Sequence, residues 1–280
     1  LEEYAARDAR VRVSRADHFL EQAGNVNRSV MLCAAPWVKL FCHDDIMLPN
    51  CLGTLFQIIT HEVTDRVGLI GDAPAWLFAN GYEYSAFSRE YAQPRLCEGK
   101  DLVRRTVAGR PREFVPALTT ATVRKEAFLS SPRFDPRFKH FDVFLWMRLL
   151  MDWDYVFVPQ VLTLTRIHGA QVHVFTQKSL RTIKDEKLFW REFLADSRNE
   201  LSVDTPMRLR ARLRPLGAAG SLLAIELLKH SYLRAFQTLL RLPVLWWPLL
   251  PVFVLRAYRR EIGKVRALEG HVPVHLIYPG

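Results

Sequence analysis

The fold is decided by residues 36–49, which read PWVKLFCHDDIMLP. Residues 37–41 form a compact, mostly apolar run, which predicts a short buried strand. The acidic pair Asp44 and Asp45 follows this strand almost directly. Open α/β sheets bind ligands beyond the carboxyl ends of their strands, so the pair stands where a ligand site is expected. A helix is predicted from Pro49 onward, and its apolar face is expected to carry Leu52, Leu55, Phe56 and Ile59.

Short apolar runs alternate with helical patterns on both sides of this stretch, as far as about residue 170. This alternation is typical of an α/β domain. Further strands are predicted at 11–13, 67–71, 73–84 (a pair), 155–158 and 161–165, and further helices at 25–35, 100–108, 124–130 and 142–150. From Gln177 onward the periodicity is helical only. The sequence therefore predicts an α/β domain at 1–172 and a helical region at 173–280.

Positive charge is concentrated in the helical region. The chain has 39 Lys and Arg against 29 Asp and Glu, a net charge of +10. Residues 203–280 hold 12 of these basic residues and only 4 of the acidic ones, so a net charge of +8 lies there. Apolar residues make up 49% of the chain, enough for a buried core, which excludes a chain that is disordered throughout.

The four cysteines (Cys33, Cys42, Cys51 and Cys97) have no CxxC spacing. This pattern excludes a dense disulfide framework and disfavours a structural zinc site. Since free cysteines are typical of reducing compartments, we expect the protein in the cytoplasm.

The longest charge-free apolar run is Leu242–Leu255, which is interrupted by prolines. A transmembrane helix needs about 20 apolar residues, so this run is too short to be one. It contains Trp246 and Trp247 and is flanked by arginines at 241, 256, 259 and 260. Two interpretations are open. Residues 208–260 could form an interfacial anchor on an anionic membrane surface, which would attach the protein peripherally to the inner face of the cell membrane. Alternatively, the run could form the buried core of a helical hairpin.

Three groups of residues could carry chemistry. Adjacent Asp44 and Asp45 offer hard oxygen ligands for Mg²⁺ or Mn²⁺, although such pairs also form caps and turns. Asp142 opens a predicted helix, where an ionised carboxylate can accept a proton or simply cap the helix. Arg166 and His168, two residues apart after a strand, could hold a diphosphate or form surface ion pairs.

The order of these segments resembles family 2 glycosyltransferases of the GT-A fold. In that family an Asn opens a helix, an apolar strand follows, and an Asp-rich motif ends shortly before a Pro, as in Asn27 and residues 33–49 here. Residues 134–138 with Asp142, Trp146, Arg148 and Leu149 look like the acceptor segment, and Arg166 with His168 matches a closing Arg-x-His. The resemblance covers about residues 1–172.

This resemblance implies a Rossmann-like nucleotide-sugar domain and an inverting transfer from a nucleotide-sugar donor to a hydroxyl of a glycan or lipid-linked acceptor. The pathway implied is cell-envelope polysaccharide or glycolipid synthesis. Asp142 matches the general base and Asp44 the ligand of Mg²⁺ or Mn²⁺. The implied nucleotide-sugar-binding residues are Asn27, Asp44, Asp45, Arg166 and His168, and the implied acceptor-binding residues are Thr119, Thr120 and Trp146.

The sequence departs from the family pattern in three places. Cys42 stands where the first Asp of the metal motif is usual, and Phe141 stands where a Glu usually precedes the base. Family members also begin with a β-α-β segment that holds the nucleotide base, and nothing before Val11 matches it. Because the chain starts with Leu1 rather than Met, we expect that segment upstream in a longer protein, and this chain alone to be an incomplete catalyst.

Two other classes of function fit parts of the sequence. The basic tail, with arginines at 208, 210, 212 and 214, could make a non-enzymatic binder of anionic surfaces or nucleic acid. No reader motif accompanies these arginines, so a nucleic-acid partner is not expected. Alternatively, Asp44, Asp45 and Asp142 could together hold metal ions for phosphoryl transfer or hydrolysis, which requires Asp142 within a few ångströms of the pair.

Overall fold

The computed structural model describes residues 1–85, 93–107, 115–167, 180–196 and 205–268. Its helices are α1 (Glu2–Arg7), α2 (Gln22–Leu32), α3 (Cys51–His61), α4 (Gly99–Val107), α5 (Lys125–Ser130), α6 (Phe141–Leu149), α7 (Leu180–Ala195), α8 (Thr205–Leu228), α9 (Tyr232–Leu240) and α10 (Leu250–Leu268). Its strands are β1 (Trp37–Lys39), β2 (Ile46–Met47), β3 (Val67–Asp72), β4 (Ala75–Phe78), β5 (Glu83–Ser85), β6 (Arg95–Cys97), β7 (Ala121–Arg124), β8 (Asp154–Val158) and β9 (Thr163–Ile167). The predicted α/β class is confirmed.

The strands form two mixed sheets. The larger sheet has the order β1-β7-β3-β8-β6, in which only β3 and β8 are parallel. The smaller sheet has the order β2-β9-β4-β5, in which only β9 and β4 are parallel. Since β1 belongs to the first sheet and β2 to the second, the segment between them crosses from one sheet to the other.

Strand β3 lies at the centre of the larger sheet, and all six of its residues are buried. Gly68 is required there by close packing, because a Cβ atom at this position would lie 2.7 Å from the Cβ atom of Trp153 and 2.8 Å from that of Ala127. A strand buried on both faces reads as a continuous apolar run, which is why the sequence predicted it well.

An aromatic core covers the larger sheet and extends into the helical region. Phe134 packs edge-on against Trp146, and Phe144 stacks on Phe189 of α7 with their ring centroids 4.2 Å apart. Phe193, also on α7, belongs to the same buried cluster. The predicted boundary between residues 172 and 173 therefore does not separate two cores, since α7 completes the core of the preceding part.

The last three helices form a second packed unit, in which α8 lies against α9 and α10. Leu242 and Leu250 are buried against Leu222 and Leu223 of α8. Other apolar residues of the same run are exposed, among them Leu245 at 89%. The helical-core interpretation of Leu242–Leu255 is therefore confirmed for part of the run, whereas other side chains face outward and the interfacial anchor stays a prediction. Among the described residues, no helix is long and apolar enough to cross a bilayer.

Two local predictions are wrong. Residues 11–13 form no strand in the structure. Helix α3 buries Cys51, Leu55 and Ile58 against β3 and β8, whereas Leu52 and Phe56 are 60% and 65% exposed. Apolar residues occur all round this helix, so its periodicity did not indicate which face packs on the sheet.

Candidate active site

The loop from Cys42 to Asp45 leaves the larger sheet and leads into β2 of the smaller sheet. The backbone N–H of Leu40 donates to the carbonyl of Ala121 at 3.0 Å, which continues the pairing of β1 with β7. The N–H of Asp45 then donates to the carbonyl of Cys42 at 3.3 Å and closes a tight turn. As a result Asp44 and Asp45 lie just beyond the end of β1, where the sequence predicted a ligand site.

Asp45 is buried and receives two hydrogen bonds. The hydroxyl of Thr119 donates to Oδ2 at 2.5 Å, and the backbone N–H of Arg166 donates to Oδ1 at 3.1 Å. Burial raises the pKa of this carboxyl above its ordinary value, although the bonds from Thr119 and Arg166 oppose the rise. The carboxylate is therefore held in a single orientation and only partly stabilised in its charged form.

Asp142 lies in the first turn of α6, as the sequence predicted. Its Oδ1 accepts a bond from the N–H of Val143 at 2.9 Å, and its Oδ2 accepts one from the N–H of Leu118 at 3.1 Å. Burial raises the pKa of Asp142, and it outweighs the opposing effects of these two donors and of nearby His140. A carboxyl in such surroundings is a better proton acceptor than an exposed aspartate.

A single short turn brings Asp45 and Asp142 together. Leu118 and Thr119 are consecutive residues of the 3₁₀ turn Leu118–Thr120, and one donates to Asp142 while the other donates to Asp45. The thiol of Cys42 lies close to all the acidic groups: burial raises its pKa most, and the charges of Asp45, Asp44 and Asp142 raise it further. The predicted acidic residues therefore surround one place in the fold.

The acidic loop offers a set of side chains that fits a divalent ion. The potential ligand atoms of Cys42, Asp44 and Asp45 all lie within 4.8 Å of one another. The group of potential ligands found among the described residues does not include Asp142. Two carboxylates are hard donors suited to Mg²⁺ or Mn²⁺, whereas the thiol of Cys42 is held in its protonated form by its raised pKa.

A buried ion pair, which the sequence did not predict, stabilises the turn that holds Asp45 and Asp142. Lys39 donates to Asp72 Oδ1 at 2.8 Å and to the carbonyl of Thr119 at 2.7 Å. The hydroxyl of Thr163 donates to the other oxygen of Asp72 at 2.8 Å. Burial raises the pKa of Asp72, and the charge of Lys39 opposes that rise. The only sequence signal was a lysine within an otherwise apolar strand, which is typical of a buried partner on a neighbouring strand.

Three of the implied binding residues have other tasks in this structure. Asn27 uses its side-chain amide to bond both the N–H and the carbonyl of Phe134, at 3.0 and 2.8 Å, so it holds α2 to the loop before α6. Trp146 is 0% exposed, so the prediction that it contacts an acceptor is wrong. Thr120 is 1% exposed and donates to the carbonyl of Ala117, which is equally incompatible with direct contact. The sequence did not reveal that Phe134 and Trp146 belong to the aromatic core.

The remaining residues lie around the acidic loop or outside the described residues. Thr119 is buried and holds Asp45, so it positions a carboxylate and has no free surface for an acceptor. The exposed side chain of Arg166 borders an open groove of about 550 Å³ that also contacts Ile46 and Leu77. His168 lies outside the described residues.

Comparisons with known proteins do not extend this interpretation. No protein-family model and no curated protein matches the chain. A half-buried carboxylate, an acidic loop held by the same turn and an exposed guanidinium are suited to activating a hydroxyl and holding a phosphorylated leaving group.

Proposed function

We propose that this chain carries the transfer site of an inverting glycosyltransferase of the GT-A type. The reaction moves a sugar from a nucleotide-sugar donor to a hydroxyl group of a glycan or lipid-linked acceptor. The observation that carries the proposal is that two carboxylates, those of Asp45 and Asp142, accept hydrogen bonds from adjacent residues of one turn. In such an arrangement, one carboxylate can serve the attacking hydroxyl on one face of the sugar ring, and the other can serve the leaving group on the opposite face.

Asp142 acts as the general base. Its carboxylate takes the proton of the acceptor hydroxyl while the hydroxyl oxygen forms a bond to the anomeric carbon and the bond to the diphosphate oxygen breaks. The two N–H donors from Val143 and Leu118 keep the carboxylate oriented, and burial keeps its pKa raised. A positioned base of this kind contributes about 10²- to 10⁴-fold to the rate. Attack opposite the leaving group inverts the anomeric centre.

The acidic loop serves the leaving group. Asp44 and Asp45 are the residues that would hold Mg²⁺ or Mn²⁺, with Cys42 beside them. Such an ion, when bound, neutralises negative charge on the departing diphosphate. Arg166 lies next to Asp45 through its backbone, and its exposed guanidinium is available for phosphate oxygens at the edge of the groove.

The same arrangement disfavours phosphoryl transfer by three metal-bound aspartates. That mechanism needs Asp142 among the ligands, but the group that could hold an ion comprises Cys42, Asp44 and Asp45 within the described residues. Because Asp142 instead accepts two backbone N–H bonds, its task is better described as proton transfer.

The test is a donor screen with the full-length protein. Release of nucleoside diphosphate from UDP- and dTDP-sugars is measured with Mn²⁺ or Mg²⁺ and with candidate glycan and lipid-linked acceptors. We expect Asp142→Asn to abolish transfer while thermal-shift assays still detect donor binding, and Asp65→Asn, which changes an exposed aspartate elsewhere, to leave both unchanged. Transfer at the wild-type rate by Asp142→Asn would overturn the proposal.

A further inference from the structure

The outer surface of α9, the following turn and the start of α10 exposes an unusual number of large apolar side chains. We refer to this surface as the apolar face; its members are Tyr232, Leu233, Phe236, Leu240, Val244, Leu245, Trp247, Leu249, Val252 and Leu255. Their exposed fractions run from 37% at Trp247 to 89% at Leu245. Single exposed apolar residues are ordinary, but ten of them within the 24 residues 232–255 are the number expected of an interaction surface.

The apolar face is distinct from the core of the same helices. On α9, Ala235 is buried and Leu239 packs against the cluster formed with α8, whereas Leu233 and Phe236 point outward. After the turn, Leu250 is buried while Val252 and Leu255 are exposed. Helices α9 and α10 therefore have apolar residues on two sides, and only one side is covered by the fold.

Positive charge is concentrated in the same segment as the apolar face. Residues 229–262 contain six basic residues, of which the five arginines are exposed: Arg234, Arg241, Arg256, Arg259 and Arg260. The single acidic residue of this segment, Glu261, is 2% exposed and accepts a bond from Arg260. Exposed apolar side chains together with exposed guanidinium groups match the boundary between the acyl chains and the anionic headgroups of a bilayer.

We propose that the apolar face docks onto the surface of an anionic phospholipid bilayer, with its apolar side chains among the upper acyl chains and its arginines among the headgroup phosphates. A second copy of the chain fits less well, because an isologous contact through this segment would bring the exposed arginines of two copies together with no exposed carboxylate in the segment to pair with them. The inference goes beyond the transfer reaction and does not depend on it. A protein docked in this way would encounter lipid-linked molecules by lateral diffusion along the bilayer surface.

Vesicle flotation tests this directly. The full-length protein is mixed with neutral phosphatidylcholine vesicles and with vesicles that contain 30% phosphatidylglycerol, at low and high salt. We expect flotation with the anionic vesicles and less at high salt. Leu245→Glu should weaken binding by about tenfold or more, since it replaces a leucine that docking would bury in the bilayer with a charged side chain. Arg256→Gln should weaken it about fivefold, since one basic residue near an anionic surface is worth about 1 kcal/mol.

The matched control is Phe56→Glu, which introduces the same charge at an apolar residue that is 65% exposed on α3. This variant should float like the wild type. If Leu245→Glu does not fold, as judged by circular dichroism, Val244→Ser provides the second apolar variant. Absence of flotation by the wild type, equal flotation with neutral vesicles, or equal loss in Phe56→Glu overturns the proposal. The proposal is also overturned if the wild type binds no vesicles and light scattering detects a dimer that Leu245→Glu dissociates.

Discussion

Asp45 and Asp142 are held by neighbouring residues of one turn, since the hydroxyl of Thr119 donates to Asp45 and the backbone N–H of Leu118 donates to Asp142. The same hydroxyl accepts the N–H of Cys42 at 3.1 Å. A movement of this turn therefore shifts the acidic loop and the proposed base together. The turn itself is fixed by Lys39, which donates to the carbonyl of Thr119.

The hydroxyl of Thr119 is predicted to orient the acidic loop. Thr119→Val removes the donor to Asp45 and the acceptor for Cys42, so it leaves buried polar groups unpaired and raises the pKa of Asp45 further. We expect a loss of about 1–3 kcal/mol in the free energy of unfolding and weaker Mn²⁺-dependent donor binding. Urea unfolding and donor titrations measure the two effects. Thr119→Ser keeps the hydroxyl and should retain most of both; equal losses in the two variants would contradict the prediction.

Activity should depend on the ionisation of Asp142. Its pKa is raised by burial, so the acid limb of the kcat/KM profile should have its midpoint above the ordinary aspartate value of about 3.9. Activity should fall as pH decreases through that midpoint. Initial rates across the pH range provide the measurement. Asp65→Asn should leave the midpoint in place, and a midpoint at the ordinary value would contradict a buried base.

The pH dependence that Asp142 gives to stability should be opposite in direction to the one it gives to activity. Because the folded state binds a proton at Asp142 more readily than the unfolded chain does, stability falls as pH rises from the ordinary value to the raised pKa, and is level above it. Asp45 and Asp72, whose pKa values are also raised, contribute in the same direction. The difference in free energy of unfolding between wild type and Asp142→Asn should therefore change with pH only in that window. A difference that is constant from pH 3 to 7 would show that Asp142 is not desolvated.

The ion pair of Lys39 and Asp72 should behave as a coupled unit. The side chains are 8% and 0% exposed, so Lys39→Met leaves an unpaired carboxylate in the core. We expect Lys39→Met to cost about 3–5 kcal/mol of unfolding free energy, and Lys39→Met with Asp72→Asn to cost less than the sum of the single changes. Urea unfolding of the three variants gives the coupling energy. Lys100→Met, at an exposed lysine on α4, should have little effect, and strict additivity at 39 and 72 would contradict the coupling.

These contacts show how far the sequence alone leads. The acidic loop after β1 and the position of Asp142 at the start of α6 follow from local patterns, because strand ends and helix starts are encoded within a few residues. The tasks of Lys39, Asn27 and Trp146 do not, since each is set by a partner far away in the sequence: Asp72, the backbone of Phe134 and the aromatic core. The same limit explains α3, where the packing of the sheet rather than the periodicity decides which apolar face is buried.

Cys42 should determine how strongly the acidic loop binds a divalent ion. Its thiol is protonated because burial and three nearby carboxylates raise its pKa, so it contributes little to a hard cation. Cys42→Asp adds a third carboxylate within the group formed with Asp44 and Asp45. Without metal, crowding of negative charge should lower the melting temperature; with Mn²⁺, the affinity should rise about tenfold and the melting temperature should recover beyond that of the wild type. Calorimetric titration with Mn²⁺ and thermal unfolding with and without the ion measure both effects. Cys33→Asp places the same charge outside the acidic loop and should not raise Mn²⁺ affinity; an equal rise in both variants would show that the acidic loop is not the binding site.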